Sequence, residues 1–327
     1  MSRTAWRSRI LLPVCLMATV LASGVCGTET NEISIDQLRG HVYFLASDYL
    51  GGRVIGSRGY RIAAEYVSSQ LAAAGLQPFP SGGEDLGGFL HPVPAPIPDD
   101  GSGAAADTCY NVVGFIPGAD PDLGREYVLV CAHLDHIPPI DGQICNGADD
   151  NASGCAAVLE VARLVAKDPL ERAVLFVFFT GEDYEADPRL GSRHFLDHGP
   201  VERGRIFVNV NIDMIGREDT YWPKPGGITV MDSESVCPEL RDVCAGANEK
   251  GSRLPLHYDV SQGGASDSRS FADAGIPSLG LFCGAHADLH RPSDEVDRLS
   301  FPRIRQVAGL GLVLVRELAS GETELCR

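Results

Sequence analysis

Three long apolar runs, each followed by a histidine or an acid, constrain the fold of this chain more than any other feature. The first ends at His133, the second precedes Glu182 in the sequence TGED, and the third ends just before Asp213. Runs this apolar are typical of strands that are buried on both faces of a sheet. Because sites in open α/β sheets form beyond the carboxyl ends of the strands, we expect these three polar residues at one edge of the sheet.

Strand and helix patterns alternate along most of the chain. This alternation predicts an α/β fold with a mostly parallel, mixed central sheet and helices on both faces. The glycine-rich LGGRVIGSRG has no Walker lysine and follows no strand, so we interpret it as a plain turn. Residues 78–107, rich in Pro, Gly, Asp and Ala, are expected to form a long irregular connection and not a second domain. The predicted helices are residues 34–46, 60–74, 153–167 and 302–319, and the predicted strands are residues 110–116, 126–133, 173–179, 206–212 and 277–282.

The first residues have the pattern of an export signal. Three arginines near the start precede an apolar stretch, residues 10–21, which is short for a membrane span, and small residues follow it. Residues 1–27 are therefore predicted to be a signal peptide that is cleaved near residue 24 or 27. Residues 28–327 are predicted to be a single domain that is secreted or periplasmic. An uncleaved anchor is the main alternative, and a lipid on Cys26 is less favoured because a bulky valine precedes it.

The net charge of −17 argues against a nucleic-acid partner, because phosphate backbones are bound by basic surfaces. The acidity itself is explained by solubility. No stable membrane span is expected once the signal has been removed, and a monomer is favoured.

Two of the ten cysteines fall in the predicted signal peptide, and the others are expected in an oxidising compartment. Cys131 and Cys283 lie in apolar strand-like runs and are expected to be buried thiols. Cys237 and Cys244 suggest a local bridge, but on a continuous helix their Cα atoms would lie ~10.5 Å apart, too far for a disulfide. A bridge therefore requires Pro238 or a bend to interrupt the helix. No CxxC pair is present, which argues against a thiolate zinc site.

Histidines and carboxylates are thus the candidate metal ligands. Two histidines and several acids in dispersed loops suit a pair of divalent cations such as zinc. His133 is predicted to bind metal, with Asp135 as the carboxylate that orients its ring. Asp213 follows a buried run, where its charge requires a partner or a metal ion. Spacing does not separate His290 from its neighbour His286 as a further ligand.

Two pairs of adjacent acids complete the candidate site. Asp149 and Asp150 lie in a tight loop before a helix, where a short carboxylate can be shared by two cations. Glu182 and Asp183 are neighbours, so one can bind metal while the other stays free as the general base for an attacking water. Together these residues predict a hydrolase with two metal ions.

The set HLDH, NGADDNASG, GED, NIDMIG and HRPSD, in this order, resembles the M28 family of zinc metallopeptidases, which contains secreted aminopeptidases. The resemblance also covers HVYFLASDYLGGRVIGSRGYRIAAEYVSSQLAAAGLQP and GGASDSRSFADAGIPSLG, and so nearly the whole chain after the signal. It implies a zinc exopeptidase fold of the phosphorylase/hydrolase-like type. Some relatives carry an inserted protease-associated domain, but residues 78–107 are too few to contain one.

The resemblance also implies two zinc ions per chain and a role for each site residue. Asp150 would bridge the ions in preference to Asp149, His290 would be a ligand in preference to His286, and Glu182 would be the base. The peptide bond after Asp150 would be cis. The implied ligands are His133 and Asp213 for one ion and Asp183 and His290 for the other, with Asp150 shared.

The chain departs from the family in one ligand. The family usually has Glu-Glu where this chain has Glu182 and Asp183. Because aspartate is one methylene shorter, we expect the second ion to be bound more weakly or with a shifted ligand geometry.

The function implied by the resemblance is removal of N-terminal residues from peptides. The alternatives are a glutaminyl cyclase-like transferase with a single zinc, a carboxypeptidase, and a binding module on a decayed peptidase scaffold. The intact pair of His133 and Asp213 favours two metal ions and hydrolysis over cyclisation. The retained Glu182 and the full ligand set argue against a decayed scaffold.

Overall fold

Among the described residues, nine strands form a mixed central sheet, and this sheet positions the candidate site. The computed structural model describes residues 32–79, 88–95, 108–168, 170–218, 227–232, 236–259 and 266–325. The predicted signal peptide lies outside them. The strands are β1 (Gln77–Pro78), β2 (Leu90–Pro94), β3 (Thr108–Ile116), β4 (Tyr127–His133), β5 (Ala173–Phe179), β6 (Ile206–Asp213), β7 (Ile228–Asp232), β8 (Leu256–Tyr258) and β9 (Ser278–Phe282). Their order across the sheet is β1-β3-β5-β4-β6-β9-β7-β8, with β2 paired to β3.

The middle of the sheet is parallel and its flanks include antiparallel pairs. Strands β5, β4, β6 and β9 are joined by parallel pairings, whereas β3 runs antiparallel to β5 and β7 runs antiparallel to β9. Every residue of β4, β5 and β6 is buried, which explains the apolar runs in the sequence. The prediction of an α/β fold with a mixed sheet is confirmed.

Helices cover both faces of this sheet. They are α1 (Ile35–Leu45), α2 (Arg58–Ala73), α3 (Gly154–Val165), α4 (Leu190–His198), α5 (Glu239–Lys250), α6 (Ser268–Asp273) and α7 (Phe301–Ala319). Along β4, Val128 and Val130 belong to the same apolar cluster as α2, α3 and α7, whereas Leu129 and Cys131 belong to a second cluster with α4 and α6. The alternation follows the two-residue period of a strand. All predicted helices and strands are present, with their ends shifted by at most two residues.

The segment predicted to be an irregular connection, residues 78–107, contains a strand that the sequence pattern hides. Strand β2 pairs with β3 in antiparallel register, so the prediction is wrong over Leu90–Pro94. Its sequence, LHPVP, holds two prolines. Proline cannot donate a ladder hydrogen bond and is confined to edge strands, and β2 pairs with only one strand among the described residues.

Cys237 and Cys244 form no disulfide with each other, so the suggested local bridge is wrong. Helix α5 begins directly after Pro238, which leaves Cys244 inside the helix and more than a turn beyond Cys237. Cys131 and Cys283 are buried free thiols, as predicted. Burial raises the pKa of Cys283 to about 12, so its thiol stays protonated and unreactive at neutral pH.

Arg53 shows that LGGRVIGSRG is more than a plain turn. Its guanidinium is fully buried and donates four hydrogen bonds to backbone carbonyl oxygens. The acceptors are Leu45 at 2.6 Å, Asn146 at 2.7 Å, Leu134 at 2.9 Å and Gly147 at 3.1 Å. The turn therefore joins the end of α1 to both ends of the connection between β4 and the helical turn before α3.

His41 is expected to make the stability of the fold depend on pH. It is buried in α1, its Nδ1 lies 2.9 Å from the Tyr66 hydroxyl, and burial, only partly opposed by the charge of Glu160, lowers its pKa from 6.5 to about 4. The unfolded chain therefore binds a proton first as the pH falls. The contribution of neutral His41 to the free energy of unfolding is complete above pH 6.5. It is lost between pH 6.5 and 4, by up to about 3 kcal/mol. Denaturant unfolding of the wild-type protein and of His41→Gln across this range measures it; equal pH slopes for the two would contradict the prediction.

No helix in the described part of the chain is both long and apolar enough to cross a membrane. The described residues belong to one compact unit, Asn31–Arg327.

Candidate metal centre

Polar residues from three neighbouring strands meet at one edge of the sheet, as the sequence predicts. His133 is the last residue of β4, and Asp213 is the last residue of the adjacent β6. Glu182 lies shortly after the end of β5, which pairs with the other side of β4. Asp150 comes from the helical turn Ala148–Ser153, which leads into α3. The topology thus gathers residues that are far apart in the sequence.

The first group of candidate ligands surrounds His133. Its Nε2 lies 3.1 Å from Oδ1 of Asp150 and 3.3 Å from Oδ1 of Asp213, and all three residues are buried. Asp213 Oδ2 accepts a hydrogen bond from the Ser266 hydroxyl at 2.7 Å, whereas its Oδ1 has no hydrogen-bond partner within the described residues. One oxygen of Asp213 is therefore held by the protein, and the other faces His133.

The second group surrounds His290, which lies in the loop after β9. Its Nε2 is 3.1 Å from Oδ2 of Asp150 and 3.1 Å from Oδ1 of Asp183. The His290 side chain is 49% exposed, whereas those of Asp150 and Asp183 are almost entirely buried. The two oxygens of Asp150 therefore face different histidines, with Oδ1 toward His133 and Oδ2 toward His290.

A third histidine, His136, joins the cluster, although no role was expected for it from the sequence. Its Nδ1 lies 2.7 Å from Oδ2 of Asp183 and 3.6 Å from Oδ2 of Asp150, and its side chain is fully buried. The three residues offer ligand atoms within 4.8 Å of one another, as do His133, Asp150 and Asp213. The sequence feature that could have identified His136 is the second histidine of the motif HLDH.

Asp135 lies beside His133, but its carboxylate has a different set of partners from the one predicted. Its two oxygens accept backbone N–H bonds from Glu182 and Asp183, each at 3.2 Å. The Nδ1 of His133 donates to the backbone carbonyl of Asp135 at 3.2 Å and is 4.0 Å from the nearer carboxylate oxygen. The carboxylate therefore positions the turn that carries Glu182 and Asp183, and the backbone of Asp135 orients the ring.

Asp294, the last residue of HRPSD, supports the loop that presents Asp150, and sequence reasoning missed it. Its carboxylate accepts backbone N–H bonds from Asp149 and Asp150 at 3.1 Å. Asp149 in turn accepts a hydrogen bond from the backbone of Gly216 at 2.6 Å and lies 3.1 Å from Nε2 of His286. Asp149 and His286 therefore contact each other.

The peptide bond between Asp150 and Asn151 is cis, as the resemblance implies. The Asn151 side chain donates to the carbonyl of Ile212 at 3.1 Å and accepts from the backbone of Gly154 at 3.0 Å and of Met214 at 3.2 Å. These bonds join the loop of Asp150 to the end of β6.

Burial and mutual repulsion perturb the acids of the cluster. Burial, assisted by the charges of Asp183 and Asp213 and opposed by that of His133, raises the pKa of Glu182 well above its ordinary value. Burial likewise raises the pKa of Asp135 to about 6, and it raises the pKa of Asp267, whose charge acts on Glu182, to about 7. Burial alone would lower the pKa of His133, but the carboxylates around it outweigh this effect and raise it. The cluster therefore concentrates negative charge in a buried place.

Such a concentration of charge is costly unless cations balance it. The donor atoms present are imidazole nitrogens and carboxylate oxygens, which are the ligands that zinc takes in proteins with open catalytic sites. Asp213 Oδ1 is buried and has no hydrogen bond among the described residues. This oxygen is therefore available as a ligand for such an ion. The residues fit a pair of divalent cations on either side of Asp150.

The chain belongs to peptidase family M28, whose family model matches residues 111–315. It is 30% identical over 228 residues to aminopeptidase YwaD of Bacillus subtilis, covering 66% of this chain and 46% of that protein. It is 29% identical over 264 residues to leupeptin-inactivating enzyme 1 of Streptomyces exfoliatus, covering 78% of this chain and 50% of that one. The chain thus spans about half the length of these two relatives.

Solved structures share the fold at low sequence identity. The zinc aminopeptidase BSAP from Bacillus subtilis superimposes with a TM-score of 0.69 at 19% identity, over 90% of this chain and 98% of that one. The glutaminyl cyclase of Porphyromonas gingivalis gives a TM-score of 0.67 at 19% identity, over 88% of this chain and 99% of that one. The zinc exopeptidase fold that the resemblance implies is confirmed.

Proposed function

We propose that the protein is a zinc-dependent exopeptidase, and specifically an aminopeptidase that removes N-terminal residues from peptides. The observation that carries the proposal is the position of Asp150, whose two oxygens face two separate groups of histidine and carboxylate ligands. Relatives named as aminopeptidases in the same family support it.

Two zinc ions per chain would be held at the two groups. His133 and Asp213 would bind the first ion, Asp183 and His290 the second, and Asp150 both. Ions bound there would polarise the scissile carbonyl, lower the pKa of the attacking water and stabilise negative charge in the transition state.

Glu182 would be the general base of the reaction. It lies next to a ligand without being needed as one, and burial raises its pKa well above its ordinary value. A carboxylate with a raised pKa takes a proton from the attacking water readily and holds it until it passes to the leaving amine. Asp135 fixes this arrangement, because its carboxylate binds the backbone N–H groups of both Glu182 and Asp183.

The remaining proposals concern the organisation of the chain. Residues 1–27 would be an export signal and residues 28–327 a single peptidase domain that acts outside the cytoplasm as a monomer. The basic, apolar and small-residue pattern at the start of the sequence supports the export signal. The compact unit Asn31–Arg327 supports the single domain.

Chelation and N-acetylation are expected to abolish cleavage separately. A leucyl peptide with a free amine should be hydrolysed at its first bond, its N-acetylated twin should not, and a chelator should stop the reaction until zinc is restored. Mass spectrometry of the products checks all three results. Cleavage from the carboxyl end would instead indicate a carboxypeptidase, and loss of ammonia from a glutaminyl peptide a cyclase. No turnover of any of these peptides would contradict the proposed function.

A further inference from the structure

Asp183 has a neighbour that changes what its short side chain implies for metal binding. His136 Nδ1 approaches Oδ2 of Asp183, while His290 Nε2 approaches Oδ1 of the same carboxylate. We propose that His136 is an additional ligand of the second metal ion, which would then be held by Asp150, Asp183, His136 and His290. The inference rests on the proposed metal centre and adds a residue to it.

The donor atom of His136 lies where such a ligand is required. Its Nδ1 is 2.7 Å from Asp183 Oδ2 and 3.6 Å from Asp150 Oδ2, the oxygen that also faces His290. The rings of His136 and His290 have centroids 5.7 Å apart and planes inclined at 67°. The two imidazoles therefore converge on the same pair of carboxylates from different directions.

The fold holds His136 in this position. The residue follows β4 by three positions, and the backbone at this point forms a parallel bridge with Val54, next to the buried Arg53. A Cβ on Gly147 would lie 2.6 Å from Cδ2 of the His136 ring, so the absence of a side chain at residue 147 provides the space for the imidazole. The Nε2 of His136 is buried without a hydrogen-bond partner in the described residues. The polar contacts of the ring are thus on Nδ1, with the carboxylates.

A further ligand from His136 would compensate for the short side chain of Asp183. Aspartate at residue 183 is one methylene shorter than the family's usual glutamate and reaches less far toward an ion. A neutral imidazole supplies a further nitrogen ligand without adding to the negative charge of the cluster. Zinc sites can expand to five ligands, so four protein ligands still leave a position for water or substrate. The second ion is then bound tightly in spite of Asp183, contrary to the expectation from sequence.

Proton NMR of the cobalt(II)-loaded protein tests the assignment without using activity. Each histidine bound to cobalt gives a strongly shifted N–H resonance that disappears in D₂O. With two cobalt ions bound, we expect three such resonances, from His133, His290 and His136, and two in His136→Gln. The matched control is His41→Gln, which replaces another buried histidine outside the cluster and should retain all three.

Affinity for the second ion provides an independent measurement. Titration against a competing chelator should show it weakened by more than about 100-fold in His136→Gln, because losing a residue that merely supports a ligand costs about 10–100-fold. Two exchangeable resonances in the wild-type protein with two cobalt ions bound would overturn the role of His136 and leave the proposed function standing. A wild-type protein that binds no cobalt would overturn both. Because the wild-type count decides the question, the test does not depend on the variant folding.

Discussion

Replacing Glu182 by glutamine is expected to lower peptide hydrolysis by about 10²–10⁴-fold, the range that general acid–base catalysis contributes. Glutamine keeps the size of the side chain but cannot take the proton of the attacking water. The substitution leaves every proposed ligand unchanged, so metal content should not fall. Turnover of a leucyl peptide, with zinc measured on the same sample, checks both parts.

The control for this substitution is Glu185→Gln, three residues along the same loop and exposed to solvent. It should keep wild-type turnover. A Glu182→Gln protein that retains both its metal and full activity would show that another group accepts the proton.

Replacing Arg53 by methionine is expected to lower the free energy of unfolding by about 3–5 kcal/mol, as for other buried charged groups whose hydrogen bonds are broken. Methionine fills much of the space but leaves four backbone carbonyl oxygens without the guanidinium. Those carbonyls belong to the end of α1 and to the loops next to the metal centre, so weakened metal binding should accompany the loss. Denaturant unfolding with chelator present measures the stability apart from metal binding.

Arg269→Met is the matched control. Arg269 forms an exposed ion pair with Asp273, with both side chains about half exposed, and its loss should change stability by no more than about 0.5 kcal/mol. An Arg53→Met protein as stable as this control would refute the role assigned to the buried guanidinium.

The sequence predicts the part of the site that depends on local pattern. The apolar runs identify β4 and β6, and the polar residue at the end of each, His133 or Asp213, lies at the predicted edge of the sheet. The apolar run is a sufficient signal here, because a strand buried on both faces is recognised from its own nearly continuous apolar residues.

Residues whose role depends on another loop were not found in this way. Asp294 accepts hydrogen bonds from the backbone of Asp149, 145 residues earlier, and Arg53 donates to the carbonyl of Leu134, 81 residues later. Nothing in the local sequence of either shows that its partner is a backbone group of a distant loop. His136 is a similar case, because the role proposed for it depends on the space that Gly147 leaves for its ring and on its contact with the short Asp183.

Short or interrupted elements were also hidden. Helix α6 has six residues, too few to show a helical period, and β2 contains prolines that normally argue against a strand. Length alone does not decide which elements are found, since the five-residue β9 was predicted and the twelve-residue α5 was not.

Zinc-edge anomalous diffraction from crystals of the zinc-loaded protein would locate its metal ions. We expect two anomalous peaks per chain, one on each side of the Asp150 carboxylate, since a co-catalytic pair shares its bridging ligand. The first should lie against His133 and Asp213, and the second against Asp183 and His290. A single peak, or peaks away from Asp150, would contradict a two-metal centre built around this residue.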